Sequence, residues 1–413
     1  MMMNPSTHQE DLENSSPVII TLDNIPQHST IEVQLQQKLG KQAPKEEIPF
    51  SYKFNLKQVI KLDRKGLEIP NDDDDDDEEA QEEEDEEEEE EFDERQVDLD
   101  EEAMYERHYS GPIEGGMPNC VTISHQFQCI IVGADGQLLF LDFNTKKFIK
   151  GIRLHSSFSD IAIEKDGYRG GEALIVSFTR HTVEKYDLES LFKSNETKPN
   201  IQPLWISGTK KTGDSGRGFT DEFNYNWPEM IAICYSNKYD SFRNEHDDKK
   251  LGNILFVCDK WNNRIKILNT FDGKQLKIFG EKGNSRELGS NIEFREPWGI
   301  SLDNQDRIWV SQFAGHCVKR LENQVGQMVV DQCLGDSMIM YNPLGIFYDK
   351  LGNRLLIADS GECTISILDL ESGNFMDSIT NSSFRCVSDV CINYETGELY
   401  VTDQYSEQLF IYE

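Results

Sequence analysis

The sequence has no long apolar run and no leader-like beginning. None of its apolar runs approaches the roughly 18–20 residues that a membrane-spanning helix needs, so we expect no membrane segment. Residues 1–14 combine neither a basic stretch nor an apolar stretch, and we therefore expect no secretory signal. Together these absences predict a protein of the cytoplasm or the nucleus.

The sequence also contains no C-x-x-C pair, which argues against a zinc ribbon or a RING-type zinc site. Its nine cysteines are an odd number, and most of them lie inside apolar runs. Without a secretory signal, this usage is typical of reduced and mainly buried thiols.

Basic residues are few beside the acids, 41 against 76, which leaves a formal net charge of −35. Most of the imbalance is one tract, because residues 72–102 hold 24 acids and a single base. Residues 111–413 carry only −11. Like charges that repel one another and have nothing to bury predict disorder over residues 63–110. A solvated spacer is favoured there, and binding of basic proteins through the acidic segment is the alternative.

The remaining N-terminal residues divide into two parts. Residues 1–49 are polar and are predicted to be largely disordered. Residues 50–62 alternate better, with Phe50, Tyr52, Phe54 and Leu56 on one face, and they form a candidate strand.

From residue 111 onward, short apolar runs alternate with turn residues, and a two-part pattern recurs six times. Its first part is a strand and its second is a hairpin that follows ten to thirty residues later. The first strands begin at Pro118, Phe158, Pro228, Pro297, Pro343 and Val387. Four-stranded units of about 40–50 residues are typical of propeller blades. Two spacings are longer, and polar inserts at 188–200, 207–226 and 235–250 account for them without an extra blade. The sequence therefore predicts an all-β fold, a six-bladed β-propeller.

The best copies of the pattern resemble the NHL repeat. They read Pro297-Trp-Gly-Ile-Ser-Leu-Asp303 and Leu255-Phe-Val-Cys-Asp259-Lys-Trp-Asn-Asn-Arg-Ile265. The resemblance covers residues 111–413 and implies a six-bladed propeller of the kind found in TRIM-NHL proteins and NHL ubiquitin ligases. We expect a protein-interaction scaffold, and the resemblance suggests recruitment of substrates for ubiquitin-dependent degradation as one setting. Because the RING of those ligases is missing, the chain would act there only as an adaptor. RNA binding is the alternative, and a channel metalloenzyme resembling the peptide-amidating lyases is third.

The sixth unit reaches Glu413 after only three strands. Since an open sheet edge is unfavourable, a strand before Pro118 should complete the blade. Residues 50–62 fit best, and residues 104–109 are the nearer but weaker alternative.

Turns between the second and third strands of a propeller share one face with the loops that join blades. The side chains expected on that partner-binding face are Lys260, Trp261, Arg264, Phe313, His316 and Tyr405. Aromatic residues with arginine suit a protein interface, and they also suit stacking on RNA. The modest negative charge of the propeller favours a protein partner over RNA. Basic loop residues accompany them, namely Lys210, Lys211, Arg217, Arg286 and Arg295.

Carboxylates recur at two kinds of position. Asp259, Asp359 and Asp403 stand at the head of a hairpin, where an aspartate usually caps its own turn. Asp160 and Asp389 replace the glycine of the first strand, and they are the only candidates for a metal site in the channel. Solvation by channel water is the favoured interpretation. We therefore expect no enzyme, no catalytic residue, no cofactor and no metal, and we expect a monomer.

Overall fold

The computed structural model describes residues 54–62, 117–209, 224–243, 252–280, 293–324 and 327–413. In these ranges the chain forms six antiparallel sheets of four strands each. The predicted all-β six-bladed propeller is confirmed. No helix in the described ranges is long and apolar enough to cross a membrane. The predicted disordered regions, 1–49 and 63–110, lie outside the described residues.

The strands follow the predicted repeat closely. The first is β1 (Leu56–Lys61). Blades 1 to 3 contain β2 (Pro118–Ser124), β3 (Cys129–Ala134), β4 (Gln137–Asp142), β5 (Phe148–Arg153), β6 (Phe158–Tyr168), β7 (Gly171–Phe178), β8 (Thr182–Asp187), β9 (Trp205–Gly208), β10 (Pro228–Cys234), β11 (Ile254–Asp259), β12 (Arg264–Asn269) and β13 (Gln275–Phe279). Blades 4 to 6 continue with β14 (Pro297–Leu302), β15 (Ile308–Gln312), β16 (Cys317–Gln324), β17 (Gln327–Leu334), β18 (Pro343–Asp349), β19 (Arg354–Asp359), β20 (Thr364–Asp369), β21 (Phe375–Thr380), β22 (Val387–Asn393), β23 (Glu398–Asp403) and β24 (Gln408–Tyr412).

The first strand of each blade is its inner strand. The inner strands β2, β6, β10, β14, β18 and β22 contact one another in that order, and β22 contacts β2. The ring of blades is therefore closed.

β1 completes blade 6. It pairs antiparallel with β24, so that Val59 lies opposite Phe410 and Ile60 opposite Leu409. The strand lies inside the segment 50–62 that the alternation indicated, whereas 104–109 lies outside the described residues. The alternation holds only in part, because Leu56 is exposed while Leu62 is buried.

Apolar side chains fill the spaces between neighbouring sheets. Six separate clusters are present in the described ranges, and each joins two adjacent blades. Successive residues of a strand point to opposite faces of the sheet. In β11, Leu255 and Val257 accordingly pack toward blade 2, whereas Phe256 and Cys258 pack toward blade 4.

Two of the inserts contribute to this core, which corrects their prediction as polar loops. The insert after β8 forms α1 (Leu188–Lys193), and it buries Leu188 and Leu191 in the cluster between blades 1 and 2. The insert after β10 buries Tyr239 and Phe242 between blades 3 and 4. Their apolar residues are too few to show a period in the sequence.

Candidate functional site

One face of the propeller carries the starts of all six inner strands. In blade 3, Pro228 at the start of β10 lies opposite Asp259 at the end of β11. The hairpin between the second and third strands therefore lies at the same end as the loop from the preceding blade. We call this end the hairpin face. It is the face on which the partner-binding residues were predicted.

Lys260 lies on the hairpin face, but it is buried, with 3% of its surface exposed. Its Nζ is 4.0 Å from the ring centroid of Trp298, and the rings of Phe313 and Trp261 lie at 5.3 and 5.7 Å. Aromatic faces attract a cation through the negative charge above their rings. The expectation that Lys260 is displayed to a partner is therefore corrected, because it is enclosed by rings of its own chain.

Two carboxylates balance this buried cation. Lys260 Nζ lies 3.9 Å from Glu229 Oε1 and 3.8 Å from Glu296 Oε2. Burial raises the pKa of Glu229 to about 7, and its Oε1 accepts no hydrogen bond within the described ranges. Burial removes the water that would solvate the charged carboxylate, and Lys260 offsets only part of that loss. The charge of Lys260 is thus met by carboxylates and aromatic rings of the chain itself.

Arg264 is also buried, which corrects its predicted display. Its Nε donates to Asp259 Oδ2 at 2.6 Å, and its guanidinium also donates to the carbonyl of Asn224 at 2.7 Å. Asp259 is thus paired with the base that lies five residues later in the sequence.

The hairpin aspartates have the structural role that the sequence indicated. All three are buried. Asp359 accepts from the N–H of Glu362 at 3.2 Å and Asp403 from the N–H of Ser406 at 2.9 Å, so each caps its own turn. Asp259 accepts from the side chain of Asn262 at 2.9 Å instead.

Trp261 and Phe313 are half-buried. The ring of Trp261 lies 4.9 Å from that of Trp227, and the ring of Phe313 lies 5.2 Å from that of Trp298. Both side chains thus pack on an aromatic residue near the start of the inner strand of their own blade, and each keeps part of its surface accessible.

His316 and Tyr405 differ in their surroundings. The ring of His316 stacks on Tyr341 at 4.7 Å, and its Nδ1 lies 3.3 Å from the N–H of Asn342. His316 therefore joins blade 4 to blade 5 and is half-buried. Tyr405, in the hairpin of blade 6, is 62% exposed.

The loop from β17 to β18 adds exposed apolar residues that sequence analysis missed. Met338 is 95% exposed, Ile339 50% and Tyr341 45%. This loop also lies on the hairpin face, since it leads into the inner strand of blade 5. The available signal was an apolar run, Met338-Ile-Met-Tyr341, placed in a loop where no strand was predicted.

Asp160 and Asp389 join neighbouring inner strands. Asp160 Oδ2 accepts from the N–H of Ile231 in the next blade at 2.9 Å, and Asp389 Oδ2 accepts from the N–H of Val121 at 2.9 Å. Each is only 3% exposed, so the expectation of solvation by channel water is wrong. Burial raises the pKa of both carboxyls, to about 7 for Asp389, and the charge of Asp389 adds to the effect on Asp160.

Neither aspartate belongs to a metal-binding cluster in the part of the chain that the structure describes, where no group of three His, Cys, Asp or Glu side chains converges. Of the basic loop residues, Arg295 is exposed. The others, Lys210, Lys211, Arg217 and Arg286, lie outside the described residues.

Sequence comparison does not place this chain in a known family. No family model matches it, and no curated protein matches it as a relative. The structure defines the chain as a six-bladed β-propeller built from repeated blades.

Proposed function

We propose that this chain is a non-enzymatic protein-interaction scaffold that binds a protein partner through apolar side chains on its hairpin face. The observation that carries the proposal is the exposure of Met338, Ile339, Tyr341 and Tyr405 on that one face. Exposed apolar side chains gathered on one side of a protein mark interaction sites, and tyrosine is enriched among residues that dominate binding.

The surrounding fold suits this role because it holds Tyr341 in place. Tyr341 stacks on His316, and its backbone N–H donates to Asp359 at 3.0 Å. A side chain that is already ordered loses little conformational entropy when a partner binds. Tyr341 is therefore an anchor that needs little rearrangement.

Charge favours a protein over a nucleic acid as the partner. Residues 111–413 carry a net −11. Two of the cations expected on the face, Lys260 and Arg264, are buried beside carboxylates. Nucleic-acid binding depends on exposed cations that neutralise phosphates. The proposed partner is therefore a protein that binds this face through apolar side chains of its own.

The narrower assignment belongs to the same proposal. The repeat pattern supports an NHL-type propeller, and the setting that this resemblance suggests is recruitment of substrates for ubiquitin ligation. The chain contains no RING pattern, so it would act there as an adaptor. A reducing compartment, the cytoplasm or the nucleus, suits its free thiols.

The test compares three versions of the full chain in capture from cell lysate, with and without nuclease. Met338→Glu with Tyr405→Glu places charges on the proposed surface. Phe271→Glu is the matched control, because Phe271 is 58% exposed and lies in a turn on the opposite face, between β12 and β13.

We expect discrete proteins that survive nuclease, that bind the Phe271→Glu variant as they bind wild type, and that are lost from the double variant. Equal unfolding temperatures of the three versions would show that the fold is intact. Binding that disappears with nuclease would favour RNA instead, and equal capture by all three versions would overturn the proposed surface.

A further inference from the structure

Two cysteines meet across the outer strands of blade 4. Cys317 begins β16, and Cys333 lies near the end of β17. Cys333 is paired with Lys319, two residues beyond Cys317, so all three side chains lie on the same face of the sheet. The two sulfur atoms are 3.4 Å apart and share a hydrogen bond. The S–S bond of a disulfide is about 2.05 Å long, so the two sulfur atoms would have to move about 1.4 Å closer to form one.

The two thiols differ in exposure and in chemistry. Cys333 is exposed and Cys317 is buried. The hydrogen bond between the two thiols lowers the pKa of Cys333 to about 6, and the nearby charge of Lys319 acts in the same direction. The same bond, together with burial, raises the pKa of Cys317. The exposed sulfur therefore ionises more readily than an ordinary cysteine thiol, and the thiolate is the reactive form.

The position of the buried sulfur is held by a third side chain. Gln312 Nε2 donates to Cys317 Sγ at 3.0 Å. Gln312 ends β15 and is itself buried, so Cys317 is oriented by the sheet rather than by solvent. A fixed thiol beside an exposed thiolate is the arrangement of a resolving cysteine and a reactive one.

The other cysteines lack this combination. Cys120 and Cys258 are buried, and burial raises the pKa of each thiol. Cys363 is half-buried, its pKa is raised by the same cause, and its thiol donates to the carbonyl of Arg385 at 3.0 Å. Among the nine cysteines, all of them in the described ranges, only Cys333 has a lowered pKa in the structure.

We propose that Cys317 and Cys333 form a reversible redox pair that a hydroperoxide oxidises to an inter-strand disulfide. The Cys333 thiolate attacks one peroxide oxygen, the O–O bond breaks, and hydroxide leaves as Cys333 becomes a sulfenic acid. The Cys317 sulfur then attacks the Cys333 sulfur and breaks its S–O bond, and the proton of Cys317 leaves with the departing oxygen as water. Two thiols and one hydrogen peroxide thus yield one disulfide and two waters, and a dithiol reductant reverses the step.

The test uses the reduced full chain, treated at pH 7 with an equimolar amount of hydrogen peroxide and then alkylated. Wild type should lose two free thiols, and peptide mapping should find a bond between Cys317 and Cys333 that dithiothreitol removes. Cys363→Ser is the matched control and should form the same bond. In Cys317→Ser, Cys333 should stop at a sulfenic acid that dimedone traps.

Alkylation kinetics give a second readout that needs no variant. Cys333 should react with iodoacetamide about tenfold faster than Cys363 at pH 7, and its rate should fall as the pH drops through about 6. The proposal is overturned if wild type keeps both thiols free, or if Cys333 proceeds to a sulfinic acid while Cys317 stays reduced. A bond found mainly between other cysteines would overturn it equally.

Discussion

The carboxylate of Asp259 accepts a hydrogen bond from the backbone N–H of Asn226 at 2.7 Å. Asp259 ends the second strand of blade 3, and Asn226 lies two residues before the inner strand of the same blade. The bond therefore ties the hairpin to the loop that arrives from blade 2. It extends the role of the hairpin aspartate from capping a turn to joining two segments.

The same bond recurs in three further blades. The pairs of donor and acceptor residues are Tyr341 with Asp359, Arg385 with Asp403, and Arg295 with Gln312. In blade 4, glutamine can replace aspartate at this position because Gln312 Oε1 accepts the hydrogen bond from Arg295 at 2.8 Å. The requirement is a buried acceptor, and a charge is not needed.

Removing this acceptor should destabilise the propeller. Asp403 accepts from the N–H groups of Arg385, Cys386 and Ser406. Asp403→Ala leaves these donors without it, and we expect a loss of about 3 kcal/mol in the free energy of unfolding. Asp403→Asn keeps one acceptor oxygen and should lose about 1 kcal/mol. Guanidinium unfolding measures both, and equal losses would show that the acceptor is not the cause.

The inner strands of blades 4 and 5 approach each other where a glycine allows it. A Cβ on Gly299 would overlap the carbonyl oxygen of Leu344 and lie 2.6 Å from Ser311 Oγ. We expect Gly299→Ala to lower the free energy of unfolding by about 2 kcal/mol or more, because the first of these neighbours is backbone.

The matched control for that substitution is Gly151→Ala. Gly151 lies on an outer strand, and an added Cβ there meets side-chain atoms no closer than 3.5 Å. The free energy of unfolding of this variant should lie within about 0.5 kcal/mol of that of wild type. Thermal denaturation of both variants checks the contrast, which a large loss in Gly151→Ala would contradict.

Stability should fall as the pH rises, because buried acids keep their protons in the folded state. The pKa of Glu229 rises from 4.5 to about 7 on folding. Between these pH values the folded state binds more protons than the unfolded state, so the free energy of unfolding decreases with increasing pH. Ionisation of Glu229 should lower the free energy of unfolding by about 3 kcal/mol in total. This loss is complete once the pH exceeds the pKa of the folded state.

Glu229→Gln should remove that contribution. The variant should match wild type near pH 5 and be more stable above pH 7, since a neutral amide pays no cost of desolvating a charge. Glu196→Gln, at an exposed carboxyl in the loop between α1 and β9, should leave the pH dependence unchanged. Unfolding midpoints between pH 5 and pH 8.5 provide the measurement, and parallel curves for wild type and Glu229→Gln would refute the assignment.

Loss of β1 should leave blade 6 with an unpaired outer edge. Removal of residues 1–62 uncovers the edge of β24 and takes Leu62 from the cluster between blades 6 and 1. We expect a lower unfolding temperature and association through the bare edge. Removal of residues 1–46 spares the strand and should leave the unfolding temperature unchanged. Calorimetry and light scattering distinguish the two truncations, and equal behaviour would show that β1 does not protect the edge of blade 6.

Sequence periodicity was sufficient to predict the strands of the blades, but it did not predict which side chains are buried and which are exposed. The alternation and turn residues of 228–234 and 254–269 predict three strands of blade 3, because period-two patterning is a local property. The burial of Lys260 was not predictable in the same way. Its burial depends on Trp298 and Phe313 from the next blade, which the sequence separates from it by more than thirty residues.

The loop that contains Met338 is the opposite case, because apolar side chains that the sequence would place inside are exposed. An apolar run suggests burial, and only the packing of neighbouring blades shows that Met338 and Ile339 remain outside. The proximity of Cys317 and Cys333 likewise depends on strand register, which places residues sixteen positions apart on one face.

The sequence by itself determined the number of blades, the strands and the turns, since each depends on residues a few positions apart. Only the tertiary structure decided which charged side chains are buried and which apolar ones are exposed. Those outcomes depend on how one blade covers the next. Ring closure brings Asp389 to Val121 across 268 residues, and no local pattern encodes that contact.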